Sequence, residues 1–352
     1  MQTMKAAVLR GPNDIVVEDV PIPEIGPADA LIKVKFCGIC GSDIHSFTTG
    51  MFVEPGQIMG HEFSGEIAEV GESVVGLSRG DRVTGFSAGV CGQCEACERD
   101  EPLLCAELFH NSTGYGLPGA FAEYVKIENA VVGQSVHKLA DAMDSVNGAM
   151  IEPVSVGVSA VAQAQVRPGD RVVVLGAGMI GNACLQAAKA AGAAEVIVVE
   201  VSDTRLRLAR ECGADDVFDA RTGDALRWVM DKFGEAPYHY HVGGNADVVL
   251  EAAGHPTTIK QAFEMVRPGG RICFVGLPEG EVPLDTTKIV HKMPYIVGSL
   301  GGDFIAAIDA ISSGTIRPEV LVTHRFGLDD IGAAFQQQLN ADETVKVMIE
   351  VA

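Results

Sequence analysis

At 352 residues the chain exceeds the roughly 100–200 typical of one domain, so two cores are expected. Its 26 Lys and Arg against 47 Asp and Glu give a net charge of -21, which would repel a phosphate backbone and anionic lipid and argues against nucleic acid as a partner. With 47% hydrophobic residues and no apolar run near the ~20 a membrane helix requires, the composition is that of a globular, non-membrane protein. Residues 1–8 carry no secretory-leader pattern, so a cytoplasmic location is expected.

The chain opens on short alternating stretches at 5–9, 15–20 and 31–36 separated by Pro and Gly turns, which predicts a β-rich first domain. Within it stands Cys37-Gly38-Ile39-Cys40-Gly41-Ser42-Asp43-Ile44-His45, and sixteen residues after His45 comes His61, in Gly60-His61-Glu62-Phe63-Ser64-Gly65. Cys37 completes a C-x-x-C with Cys40 but ends an apolar strand, where packing is its expected role.

Next, Cys91, Cys94, Cys97 and Cys105 read C-x2-C-x2-C-x7-C, with Gly89 and Gly92 letting the backbone fold around an ion. Four thiolates on so short a lobe, 89–106, suit Zn(II) or Fe(II) in a closed tetrahedral site, with zinc the expected ion. Glu95, Glu98, Arg99, Asp100 and Glu101 make the segment too polar for a core, and no second cysteine set suggests an iron–sulfur cluster. A closed site leaves no position for substrate, so this zinc is expected to be structural.

From Arg171 the pattern changes: Arg171-Val172-Val173-Val174-Leu175 reads as a buried parallel strand. The turn Gly176-Ala177-Gly178-Met179-Ile180-Gly181 follows, then a helical pattern ended by Gly192, then a strand at 196–199 closing on Glu200, nineteen residues after Gly181. This is the full dinucleotide fingerprint: glycines permit close approach to pyrophosphate, helix N-terminal amides bind its charge, and the acid accepts from the adenosine ribose. A carboxylate at Glu200 would repel a 2′-phosphate and favours NAD over NADP, with Arg205 the nearby counter-signal. Strands at 216–219, 247–251, 271–275 and 295–297 complete a six-stranded doubly wound sheet. Val275, Gly276, Leu277, Ser299, Leu300 and Gly301 follow its last strands, where a nicotinamide is expected. His239 and His241 lie in a polar stretch expected to be a solvated loop.

Together with Ile151-Glu152-Pro153, these motifs resemble, in order and spacing over nearly the whole chain, the zinc-containing medium-chain dehydrogenases, in particular the sorbitol, threonine and butanediol dehydrogenase branch. The resemblance implies an α/β protein with a discontinuous GroES-like catalytic domain (1–155 and 296–352) and a Rossmann NAD-binding domain (156–295). It implies a catalytic zinc held by Cys40, His61 and a carboxylate, Glu62 or Glu152, acting as a Lewis acid on the alcohol, with Ser42 and His45 relaying the proton. The implied activity is hydride transfer between a secondary alcohol, diol or polyol and NAD, in a homo-oligomer, expected as a tetramer. Sorbitol-type enzymes anchor the polyol with an aromatic and an arginine at positions that here hold Ser46 and Gly301, which leaves the substrate open. L-Threonine is one alternative substrate; a non-catalytic, crystallin-like or sensor NAD binder is the alternative of another class.

Overall fold

A computed structural model describes residues 2–278 and 280–351. They divide into two compact units: Met1–Glu152 with Val322–Asn340 and Lys346–Ala352, and Pro153–Leu321 with Ala341–Val345.

The first unit is built on a seven-stranded sheet in the order Val322–Gly327, Lys346–Glu350, Ala30–Gly38, Glu62–Val70, Arg82–Gly85, Val136–Lys138, with Tyr124–Ile127 also pairing Ala30–Gly38. Its inward residues, among them Ile32, Val34, Phe63, Ile67, Val83 and Ile349, are nearly inaccessible to solvent. Phe335, on the helix Ile331–Leu339, joins that core by packing its ring 5.0 Å from Phe47 and 5.6 Å from Phe121. Cys37 is fully buried in the same core, the packing role expected of it.

The second unit holds a sheet ordered Asp216–Asp219, Glu195–Glu200, Arg171–Leu175, Ala246–Glu251, Val266–Phe274, Tyr295–Gly298. Every pairing in it is parallel. Its central strands are continuous apolar runs because helices cover both faces. The first strand runs into Gly176 at φ 90°, and the helix Met179–Ala190 then ends with Gly192 at φ 87°. A Cβ on Gly181 would lie 1.9 Å from the Gly176 carbonyl oxygen, so only glycine lets this helix close on the turn.

Two expectations are corrected. The chain returns to the first unit at Val322, not near 296, because Tyr295–Gly298 is the sixth strand of the parallel sheet and Phe304–Ser312 follows it within the second unit. The polar stretch around His239 is not a free loop: Glu235–Tyr238 pairs antiparallel with His241–Gly244, and His239 takes the positive φ of a tight turn. Among the described residues no helix is long and apolar enough to cross a membrane.

Lys292 anchors the far side of the parallel sheet. It is 1% exposed and donates to the carbonyls of Phe263, Glu264 and Val266, which satisfies the C-terminal end of the helix Pro256–Met265. Its ammonium also lies 4.9 Å from the Tyr238 ring centre. Lys292→Met should strand those carbonyls and lower stability by about 2–4 kcal/mol. Urea unfolding followed by fluorescence of Trp228, the single tryptophan and part of the second unit, checks this.

Candidate active site and metal centres

Strand register assembles the first cluster. In the pairing of Ala30–Gly38 with Glu62–Val70, Gly38 stands opposite Glu62, so Cys40 and His61 emerge side by side just beyond the strand ends. Ligand atoms of Cys40, His61 and Glu62 all lie within 4.8 Å of one another. His61 and Glu62 are 3% and 1% exposed. Both Glu62 oxygens accept from the Lys346 ammonium, at 2.5 and 2.8 Å, and Lys346 also donates to the Ile39 carbonyl. Asp43 Oδ2 accepts from the Cys40 N–H at 2.9 Å, and its other oxygen sits 3.8 Å from His61 Nδ1.

These groups make a buried cluster in which acidic side chains outnumber the cations. Burial works against a charged imidazole at His61, yet Asp43 and Cys40 beside it hold its pKa well above the usual histidine range. Burial likewise opposes the charge on Lys346, and Glu62 with Cys40 outweighs it. Burial pushes the Glu152 carboxyl up to about 7, against the pull of His61. A field that raises every cation's pKa also favours a divalent cation. The donors, a thiol, an imidazole and a hard oxygen, are those zinc takes, and buried His61 Nδ1 has no hydrogen-bond partner, so the residues fit the ion. Glu152, the alternative carboxylate ligand, is not part of the group whose donor atoms converge.

Cys40 also caps the helix Gly41–Thr49, whose first turn presents Ser42; His45 follows one turn later on the same face. Ser42 Oγ accepts from the Tyr115 hydroxyl at 2.9 Å. The Tyr115 ring stacks on His61, centroids 5.0 Å apart and planes 29° apart, and Phe109 packs edge-on against it at 5.2 Å. Ser46 is turned away from any ligand: it is 1% exposed and its hydroxyl donates to the Ser42 carbonyl.

Asp43, Lys346 and Tyr115 are the site residues that sequence reasoning missed. Lys346 carried a faint signal, a lone cation within the apolar run Val345-Lys346-Val347-Met348-Ile349. Tyr115, between Gly114 and Gly116, carried none.

In the second cluster, ligand atoms of Cys91, Cys94, Cys97 and Cys105 converge within 4.8 Å. Gly92 at φ 72° and the short helix Glu95–Glu98 wrap the lobe round them, while Arg99 ties Glu95 to Glu101. Backbone N–H groups of Ala106 and Cys97 lower the pKa of Cys94 to about 6, while burial and its hydrogen bond with Cys94 push Cys97 up to about 11, so the pair readily holds one thiolate. Four converging thiols fit zinc as well. These are the two such groups among the described residues. His239, His241 and His291 bring their rings to 4.8 and 6.1 Å but do not form another.

On the parallel sheet, a Cβ on Gly178 would meet nothing within 4 Å, so no protein contact calls for glycine at this helix N-terminus. Met179 and Ile180 open the helix beyond it. Glu200 closes the next strand with its carboxylate fixed by the N–H groups of Ala177, Val201 and Ser202. Arg205 spends its Nε on the Thr344 carbonyl. Val275 and Gly276 donate to the Glu251 carbonyl, which sets Val275–Leu277 at the carboxyl edge of the sheet against Gly254. Ser299, Leu300 and Gly301 follow the edge strand Tyr295–Gly298, and Ser299 donates its N–H to the Phe274 carbonyl.

Comparison with known proteins agrees with this architecture. Residues 26–139 match the alcohol dehydrogenase GroES-like domain family and residues 179–313 the zinc-binding dehydrogenase family. Sorbitol dehydrogenase of Bacillus subtilis (strain 168) is 35% identical, over 99% of this chain and 97% of that protein. The crystal structure of 2R,3R-butanediol dehydrogenase from Bacillus subtilis superposes with a TM-score of 0.85 at 31% identity, covering 99% of this chain and 100% of that one. A structure described as a zinc-binding dehydrogenase from Sinorhizobium meliloti 1021 bound to NADP gives 0.88 at 33% identity, with 99% and 100% coverage. The chain therefore belongs to the zinc-dependent medium-chain dehydrogenases, in their sorbitol and threonine dehydrogenase branch, and is an oxidoreductase acting on CH–OH donors.

Proposed function

We propose that this enzyme oxidises a secondary hydroxyl of a small diol or polyol with NAD, and reduces the matching ketone in reverse. The observation that carries the reading is the convergence of Cys40, His61 and Glu62 beside the Ser42 hydroxyl, with its support from relatives that act on sorbitol, xylulose and butanediol. Those relatives are named as oxidoreductases of polyols and diols, which favours neither a non-catalytic NAD binder nor L-threonine as the substrate. Ser46 is buried against its own helix, so it offers no anchor to the far hydroxyls of a long polyol, and a short vicinal diol is the preferred substrate.

In this reading Cys40, His61 and Glu62 hold the catalytic zinc, and Cys91, Cys94, Cys97 and Cys105 a structural one. When bound, the zinc would supply Lewis acidity toward the alcohol oxygen and NAD the acceptor for the hydride. The protein's own part is to place and discharge the proton. Ser42 accepts it from the reacting hydroxyl and His45, one turn along the helix, delivers it to water. Lys346 and Asp43 hold Glu62 and the Cys40 backbone in place. Gly176 and Gly181 close the turn on the helix, Gly178 would leave room for the pyrophosphate, and Glu200, with its carboxylate rigidly fixed, would favour the ribose of NAD over a 2′-phosphate.

We further assign a cytoplasmic homotetramer. The four cysteines outside both metal sets, Cys37, Cys184, Cys212 and Cys273, are buried thiols, which fits a reducing compartment. A dihedral tetramer uses two kinds of self-complementary interface. Each unit has one candidate: the open edge of Tyr295–Gly298, with Met293 and Leu300 exposed, and the lobe surface around Leu103 and Leu104.

The reading is tested by following NAD reduction across vicinal diols, polyols and simple secondary alcohols. Chelator-sensitive turnover, greatest on short diols and with higher kcat/KM for NAD than NADP, is the expected result; turnover unaffected by zinc removal, or a preference for NADP, contradicts it. Variants separate the two metals. Cys40→Ser should abolish turnover, by at least about 1,000-fold, while NAD binding persists. Cys94→Ser should chiefly lower the melting temperature and release one zinc ion per chain.

A further inference from the structure

Tyr115 adjoins both halves of the proposed chemistry, yet none of the roles above uses it. Its ring lies flat on His61 and its hydroxyl reaches Ser42 Oγ at 2.9 Å. We propose that Tyr115 is a positioning residue that fixes the Ser42 hydroxyl in the orientation from which it relays the substrate's proton, an inference resting on the relay assigned to Ser42.

The argument is one of hydrogen-bond capacity. A serine hydroxyl offers one proton and two acceptor lone pairs. To relay, it must accept from the substrate and donate onward at once: the substrate O–H bond breaks, its proton joins Ser42 Oγ, and the serine's original proton leaves toward His45. The serine ends unchanged, and the hydride lost from the alcohol carbon goes to the nicotinamide. Tyr115 donates into one lone pair. What remains is one acceptor position and one proton, the set the relay needs. Without that donor the hydroxyl is free to sample its other staggered positions, in which its proton does not face the next acceptor.

Tyr115 is itself held well enough to do this. Phe109 packs against its ring edge-on at 5.2 Å, and Phe52 stacks on Phe109 at 6.4 Å. The turn that carries it is seated on the backbone leading into His61: a Cβ on Gly114 would lie 2.8 Å from the Gly60 carbonyl oxygen, so the two chains are already in contact. The same backbone that places His61 therefore places the donor to Ser42.

Tyr115→Phe keeps the ring and deletes the hydroxyl. It should retain parental zinc content and a KM within about twofold, lower kcat about tenfold, and raise the solvent deuterium isotope effect on kcat as proton transfer becomes limiting. In a Ser42→Ala background the same substitution should have no further effect. Unchanged kcat and isotope effect in Tyr115→Phe, an equal loss in both backgrounds, or loss of zinc would each overturn the proposal. If Ser42→Ala alone turns over at the parental rate, the relay fails and this inference fails with it. Impaired Ser42→Ala beside fully active Tyr115→Phe rejects Tyr115 alone.

Discussion

The constraint on which the active site depends is the register between three neighbouring strands. Gly38 pairs with Glu62 on one side and with Met348 on the other, which brings Cys40, His61, Glu62 and Lys346 together from stretches as far apart as residues 40 and 346. A shift of one residue would turn every side chain of a strand to the opposite face and scatter the donors. Gly38 is part of this device. A Cβ there would stand 2.3 Å from Glu62 Oε2, so the missing side chain is the room into which the carboxylate turns. The C-terminal strand is therefore more than a closing element, because it carries the cation that holds Glu62.

The same cluster is poor as a stabilising device. Burying a carboxylate and an ammonium together costs several kcal/mol of desolvation per ion, which their attraction only about recovers. What the Glu62–Lys346 pair contributes is orientation: both carboxylate oxygens are occupied, so the group cannot rotate freely beside Cys40 and His61. Asp43 does the same for the backbone at Cys40. Stability comes instead from the apolar faces of the two sheets and from buried capping contacts such as that of Lys292.

Much of this was legible in the sequence because it is local. The cysteine lobe and the strand–turn–helix–strand–acid unit are short-range patterns whose physics is complete within about thirty residues. Cys40 and His61 were legible through family resemblance, since nothing in their spacing alone says that two strand ends meet. Lys346 was only faintly legible and Tyr115 not at all, because their roles exist only through long-range pairing: a lysine in an apolar strand looks like an exposed edge until its carboxylate arrives 284 positions away. The return of the chain was misplaced for a related reason. Nothing local shows that the helix Phe304–Ser312, after the sixth strand, still belongs to the parallel-sheet unit, so the return was set at that strand rather than at Val322.

The most direct test of the register account is zinc stoichiometry in Gly38→Ala, by elemental analysis of the purified folded protein. If register and the missing Cβ build the catalytic set, this variant loses one zinc ion per chain and its turnover, while the four-cysteine lobe keeps the other. Retention of both ions with parental activity would contradict the account, since Glu62 would then not need the space that Gly38 leaves.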